Sequence, residues 1–447
     1  MFGIGLLHRR LTTVSLSDAI EEELLPHYDP RHFFPVEPGK VFRERYKTIA
    51  KLGYGSGSTV WLARDLNFTK SRSKLELQFS EPEPFVVLKF CTCDYSNKEA
   101  AEHEWHVGRC LAGANLSHKG VHYVQTVIEG FEILGPNGMH MCLVFEPMRE
   151  SLSLFQSRLK QKRFPLELMK MYLVCLLNGL DYLHSECHAI HTDLSLQNIL
   201  VNFEDDSVLE ESAQAQIGNP MLQKKRDGYS IYQSHNQFGP LRTQLGPIVP
   251  KLADFGHAQW IKDSEPQINP IQPDYYRAPE VILGTGWSYS ADIWNLGVLL
   301  WTMLEGTGTT LFSDIHSSTG HYMAQNHLAQ MIALLGPPSK ELVAREIEMR
   351  KWNFTPAIEN DEDKLCHKAY QFYKGPFFDE EGTFLYPELV PSKLSLEDTI
   401  SSLEGEEKRA FLDFVTDNML CWAPEQRKTA KELLEHPWLK GIELPWE

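Results

Sequence analysis

The chain has 447 residues, 42% hydrophobic and 23% charged, with a formal net charge of −17. That length leaves room for two lobes with large cores. The acidity disfavours nucleic-acid binding and suits basic partners, although an ordinary solvated acidic surface gives the same number. No apolar run is long enough for a membrane span. The eight cysteines are scattered without the spacing of a disulfide framework or a zinc site, which fits a reducing compartment.

Residues 1–45 read as an N-terminal extension, with Pro26, Pro30, Pro35 and Pro38 breaking any helix. Its start, "MFGIGLLHRRLTTVSLS", is basic like a transit peptide but short and without a cleavage signal, so a disordered tail is expected. From Tyr46 the pattern turns to β: "YKTIAKLGYGSGSTVWLARDL" is two alternating runs separated by glycines, and "FVVLKF" is a further strand after the polar insertion "SRSKLELQFSEPEP". "NKEAAEHEWHVGRCLAG" reads as a helix ending at glycine, and "HMCLVFEPM" as a buried strand running into a linker at Pro147. Helical spacing then dominates, in "PLELMKMYLVCLLNGLDYLHSE", "SADIWNLGVLLWTML", "GHYMAQNHLAQMIALLG" and the segment from "RAFLDF" to "HPWL". Residues 203–248 are polar and rich in Gly, Pro and Gln, and read as an insertion. The outline is α+β, with a small β-rich lobe over 46–147, a helical lobe over 148–439 carrying the insertion, and a tail over 440–447.

Gly53 and Gly55 in "LGYGSGSTV" allow a tight turn whose N–H groups can face phosphates, with Ser58 where a third glycine would stand. A glycine-rich hairpin alone is weak evidence. Lys89 falls on an internal strand, where an unpaired ammonium is costly. A phosphate and a carboxylate would pair it, the latter from Glu104 or, in the other register, Glu102. Asp193 and Asn198 lie on a loop in "HTDLSLQNIL", and Asp254 opens "DFG" after a strand. Each could be a turn residue. In this order they supply what phosphoryl transfer from a metal–ATP complex requires: a lysine on the phosphates, Asn198 and Asp254 on the metal, and Asp193 by the attacking hydroxyl.

On these motifs the chain resembles the eukaryotic protein kinases over about residues 46–439. The resemblance implies a bilobal kinase fold, ATP and Mg2+, and protein substrates. It places Leu52, Gly53, Gly55, Ser58, Val60, Lys89, Glu104, Glu146 and Met148 around the nucleotide, with Phe145 as gatekeeper. It implies that Glu280 of "APE" pairs with Arg427 and that Asp292 of "DIWNLG" braces the catalytic loop. A finer resemblance, in "GYGSGSTVWLARD", "HTDL", "ADFGHAQW" and "PVEPGKVFRERY", is to the serine/arginine-protein kinases and their fungal members, whose spacer falls where residues 203–248 lie. It implies a monomer of the cytoplasm or nucleus acting on basic, Ser-rich proteins.

Three departures matter. Thr192 stands where an arginine usually gathers a phosphorylated loop, and between Asp254 and Glu280 only Ser264, Tyr275 and Tyr276 carry hydroxyls, so activity without prior phosphorylation is expected. Ser195 replaces a lysine that contacts the γ-phosphate, while Pro273 replaces that lysine's threonine partner. The paired change reads as a rearranged site, leaving tyrosine or dual specificity and a nucleotide-binding scaffold as alternatives to a serine/threonine kinase. Asn326 and Ala333 occupy two acidic positions of the family's docking helix, so family-type docking is not implied, although "ENDED" and "DEEG" keep basic substrates in view.

Overall fold

The computed structural model describes residues 18–67, 85–226, 228–261 and 266–444. The expected tail over 1–17, the polar insertion over 71–84, Ser264 and the last three residues lie outside the described residues. The chain divides into two compact units.

The first unit centres on an antiparallel sheet of β1 (Val41–Phe42), β2 (Tyr46–Gly55), β3 (Ser58–Asp65), β4 (Phe85–Cys91), β5 (Val127–Leu134) and β6 (Met139–Phe145), in the order β1-β2-β3-β4-β6-β5. Strand alternation sorts its side chains. Trp61, Ala63, Val86, Leu88, Phe90, Cys142 and Val144 form the core on one face with Phe34, Phe42, Tyr46 and Phe131. Val87, Leu143 and Phe145, from the intervening positions of β4 and β6, form a second cluster with Leu52 and Val60 at its edge. The sheet curls until its distant members meet: Glu129 of β5 accepts from Tyr46 at 2.7 Å and pairs with Arg45 at 3.1 Å. The helix α1 (Tyr95–Gly113) packs here, with Trp105 in the second cluster.

Two stretches depart from the sequence reading. Residues Asn202–Ile248 belong to this first unit, not to the helical lobe into which they are inserted. They form the helix Asp206–Gly218, capped by Asp205, and the hairpin Gln223–Arg226 with Tyr229–Tyr232. Val208, Leu209 and Ala213 of that helix pack on Leu62 and Phe85 of the sheet. The fully buried pair Arg149–Glu204, at 2.8 Å, ties the base of the insertion to the chain leaving β6, and Arg149 donates to the Gly239 carbonyl at 2.8 Å. The sparse apolar positions of the insertion gave no periodicity because they need the sheet to complete their core. Conversely, Gly113–Val124 belongs to the second unit. Gly120 lies so close to the Asn178 carbonyl that a Cβ there would come within 2.0 Å, and His118 reaches Asp181 at 3.2 Å. The N-terminal extension is not only a lead-in, since it supplies β1 and a short turn, Glu21–Leu24.

The second unit is helical, built on Leu166–Asp181, Ser290–Glu305, Ala324–Leu335 and Gly405–Asn418. Ser290–Glu305 is buried continuously from Ala291 to Leu304, as a helix apolar on every side must be. Glu280 and Arg427, both without exposure, join through two 2.6 Å bonds, and Arg427 lies 4.9 Å from the Trp294 ring. The C-terminal tail docks as well: Leu444 is buried with Tyr123 and Cys175.

Cutting one partner of a buried pair leaves an uncompensated charge, a loss of about 3–5 kcal/mol. Glu204→Ala is therefore expected to lower the denaturation midpoint of the first unit, followed by the fluorescence of its tryptophans. A midpoint equal to wild type would detach the insertion from that unit's stability.

Candidate functional site

The first unit carries the lysine and the glycine hairpin. Lys89 pairs across the sheet with Val60 of β3 and Leu143 of β6. Alternation from Val87 turns its side chain to the face of the second apolar cluster. There the ammonium meets both oxygens of Glu104 at 2.8 Å, so the register of α1 selects Glu104; Glu102 pairs instead with Lys98 at 3.7 Å. Gly55 pairs with Ser58 at the hairpin, and a Cβ added at Gly53 or Gly55 would meet nothing within 4 Å. The backbone there is open to an incoming group. Leu52 and Val60, next to those glycines, edge the apolar cluster that ends in Phe145. The Glu146 carbonyl accepts from Gln125 at 3.3 Å, and Met148 is buried.

The second unit carries the carboxylates. His191, Thr192 and Asp193 follow the short strand Ala189–Ile190, and Asn198 precedes Ile199–Val201, which pairs with Pro250–Leu252 ahead of Asp254. The Ala253 N–H donates to the Asn198 carbonyl at 2.9 Å, and His191 Nε2 lies 3.0 Å from the Ala253 carbonyl. These bonds bring Asp193, Asn198 and the Asp254 turn together. Asn198 Nδ2 donates to Asp193 Oδ2 at 2.8 Å and to its carbonyl at 2.9 Å. Its Oδ1 is thereby turned away from Asp193. Asp254 is exposed and left-handed, with φ 60°.

Burial holds the Asp193 carboxyl above the usual carboxylate range, and the Asp254 charge pushes the same way. His191, His257 and the Asn198 bond oppose that shift. An exposed carboxylate beside an amide oxygen suits Mg2+, which takes few protein oxygens and fills its shell with phosphate and water. Among the described residues no group of three or more His, Cys, Asp or Glu forms a metal site.

Asp292 fixes the loop that begins at His191, as expected. Its buried carboxylate accepts from the His191 N–H at 2.8 Å and the Thr192 N–H at 3.0 Å, and meets His184 at 2.9 Å. Thr192 has φ +66°, a costly conformation for a β-branched residue, and these bonds hold it there. Its hydroxyl donates to the His257 carbonyl at 2.8 Å, and its carbonyl accepts from the Gln272 N–H at 3.0 Å. Thr192 thus binds directly the segment from Asp254 to Glu280, which the kinase resemblance makes the activation segment.

Gln272 was not singled out from the sequence; it looks like any polar loop residue. Its side chain accepts from the Ala278 N–H at 2.8 Å and donates to the Ala291 carbonyl at 2.8 Å, while Arg277 donates to its carbonyl at 2.8 Å. Arg277 also pairs with Asp274 at 2.7 Å and lies 4.6 Å from the Tyr322 ring. Ser195 is buried, its carbonyl accepting from the Asn198 N–H at 3.0 Å, and Pro273 caps the turn Asp274–Tyr276. The helix Ala324–Leu335 contains no carboxylate, and Asn326 donates to the Asp314 carbonyl at 3.3 Å. Much of "ENDED" is neutralised locally, as Lys374 pairs with Asp361 at 3.1 Å and with Glu362 at 2.8 Å.

Comparison with known proteins places this geometry. The model of the protein kinase domain family matches residues 96–439. A serine/threonine protein kinase of Aspergillus fumigatus is 36% identical over 420 residues, spanning 94% of this chain and 91% of that protein. The serine/threonine-protein kinase SRPK of Physarum polycephalum is 27% identical, over 94% and 92% of the two chains. Protein kinase dsk1 of Schizosaccharomyces pombe is 26% identical, over 94% and 85%. A crystallised kinase domain superposes with TM-score 0.60 at 24% identity, covering 92% of this chain and all of its own.

Removing the Asp292 carboxylate frees two backbone donors and the strained Thr192. Misplacement by about 1 Å costs roughly 10²-fold in rate. Asp292→Ala is expected to lower the maximal rate of ATP turnover by that order, measured with saturating ATP; an unchanged rate would show that the loop holds its shape unaided.

Proposed function

The chain belongs to the protein kinase family, and on that premise we propose that it transfers the γ-phosphate of Mg-ATP to serine and threonine hydroxyls of basic, Ser-rich proteins. It is a serine/threonine protein kinase, related to the serine/arginine-protein kinases, and acts on protein substrates. The observation that carries the proposed residue roles is the pairing of Lys89 with Glu104 in one unit and the Asp193–Asn198–Asp254 arrangement in the other.

In this reading Lys89, oriented by Glu104, meets the α- and β-phosphates, and the backbone around Gly53 and Gly55 covers them. Leu52, Val60 and Phe145 line the base, with Glu146 and Met148 offering backbone groups and Ser58 closing the hairpin. Asn198 Oδ1 and the Asp254 carboxylate hold the metal. Bound there, Mg2+ would neutralise charge on the phosphate oxygens. Asp193 accepts a hydrogen bond from the substrate hydroxyl and orients it, its own carboxylate fixed by Asn198. Ser195 adds no cation at the γ-phosphate. By analogy with oxyanion donors, the absent lysine corresponds to roughly 10²–10³ in rate. We place the protein in the cytoplasm or nucleus as a monomer. Among the described residues no helix is long and apolar enough to cross a membrane.

Lys89→Met and Asp254→Ala are each expected to reduce transfer of labelled phosphate from ATP to a basic Ser-rich protein by at least about 10²-fold. Full activity in both would sink the assigned roles. Because Thr192 and Gln272 bind the activation segment without a phosphate, phosphatase-treated protein is expected to keep its rate. A large loss that a second kinase restores would refute this.

A further inference from the structure

Lys51 is a lysine with 1% of its side chain exposed, in the middle of a strand. It lies on β2, two residues before Gly53, beside an irregularity in the β2–β3 pairing. Lys51 pairs with Trp61 and Gly53 with Val60, so Leu52 is the extra residue of a bulge. Bulges re-aim the side chain they carry. Here that side chain is Leu52, which edges the apolar cluster beneath the glycine hairpin.

The partners of Lys51 come from far away in the chain. Its ammonium pairs with Glu22, lies 3.4 Å from Glu21 and donates to the Tyr232 carbonyl at 3.1 Å. Its backbone is gripped on both sides by the insertion: its N–H donates to Met221 Sδ at 3.1 Å, and its carbonyl accepts from the His235 N–H at 2.7 Å. The ammonium also lies 5.1 Å from the ring of Tyr54, the residue between the two glycines. Glu21, Glu22 and Glu23 sit in one 3-10 turn, where three residues per turn send successive side chains in different directions. Glu21 accepts from the Ser234 N–H at 2.9 Å and from its hydroxyl at 2.6 Å. Glu23 pairs with the buried Lys224 at 2.7 Å. One short turn of the N-terminal extension therefore grips two elements: the insertion through Glu21 and Glu23, and the nucleotide-facing strand through Glu22 and, more distantly, Glu21.

We infer that Lys51 is a positioning residue for ATP, and that the Glu21–Leu24 turn sets nucleotide affinity by pinning, through Lys51, the bulge that aims Leu52 and the glycine hairpin. This rests on the nucleotide role assigned to that hairpin above. An ion pair with no outlet to solvent cannot be broken cheaply. Without Glu22, Lys51 keeps only the more distant Glu21, at 3.4 Å, so the ammonium shifts and β2 must move with it. The strand that turns over the phosphates shifts, while the carboxylates of the second unit keep their own supports.

The test compares Glu22→Gln with Glu23→Gln in the full chain. Both leave a buried lysine short of a charge partner, but only Glu22 touches β2. Binding of the fluorescent nucleotide TNP-ATP gives affinity without requiring turnover, and steady-state kinetics then separate KM for ATP from kcat. Glu22→Gln is expected to raise both the TNP-ATP Kd and the KM for ATP roughly tenfold, with kcat within about twofold. Glu23→Gln is expected to lose thermal stability to a similar degree with both nucleotide constants unchanged. Should Glu22→Gln not fold, Glu21→Gln loosens the same ammonium more gently, and a rise of about threefold is expected. Nucleotide constants that do not move in the Glu22 or Glu21 variant, or that move equally in the Glu23 variant, would overturn the inference. Wild-type protein that binds TNP-ATP but transfers no phosphate would count against the kinase reading and leave this comparison of affinities intact.

Discussion

The arrangement of Asp193, Asn198 and Asp254 in the second unit depends on one buried carboxylate. Asp292 lies at the start of a helix packed all round by apolar side chains, so its position is set by the core. Its two bonds to successive backbone N–H groups hold Thr192 in a left-handed conformation that a β-branched residue would otherwise leave. That conformation sends the Thr192 hydroxyl to His257 and its carbonyl to Gln272. Asp193, the next residue, is thereby presented to Asn198. Asp292 thus decides where the Asp193 carboxylate, proposed to orient the substrate hydroxyl, stands.

The same device closes the activation segment. In kinases that carry an arginine at position 192, the segment waits for a phosphate to neutralise that charge. Here the position holds a hydroxyl that donates to the His257 carbonyl, while the Gln272 N–H donates to the Thr192 carbonyl and the Gln272 side-chain amide bridges the Ala278 N–H and the Ala291 carbonyl. Neutral bonds of this kind are formed on folding and need no modification to appear. Arg277, buried over Tyr322 and paired with Asp274, braces the next turn in the same way.

Buried ion pairs mark the places where remote parts of the chain are joined. Arg149–Glu204 ties the insertion to the first unit, Glu280–Arg427 ties the end of the activation segment to the C-terminal helices, and Lys51–Glu22 ties the extension to β2. Each costs desolvation and gains little over an apolar contact in stability. What each adds is a specific partner, because few buried groups nearby can take the charge; Lys51 has Glu22 and, at 3.4 Å, Glu21.

The sequence alone determined the family and the contacts of Glu280 and Asp292, and it put forward Lys89, Asp193, Asn198 and Asp254 as the residues of the proposed site. These were legible because phosphoryl transfer demands particular groups in a fixed chain order, and because strand and helix periods expose the frame that carries them. Only the tertiary structure decided the rest. Glu104 over Glu102 needed the rotation of α1 against β4. The place of residues 202–248 in the first unit needed the sheet face that completes their small apolar core. Gln272, Lys51 and the three glutamates were silent for the same reason. Their roles lie in partners up to 213 residues away, as for Glu21 and Ser234, and a polar residue does not announce its partner until folding removes the water that would otherwise satisfy it.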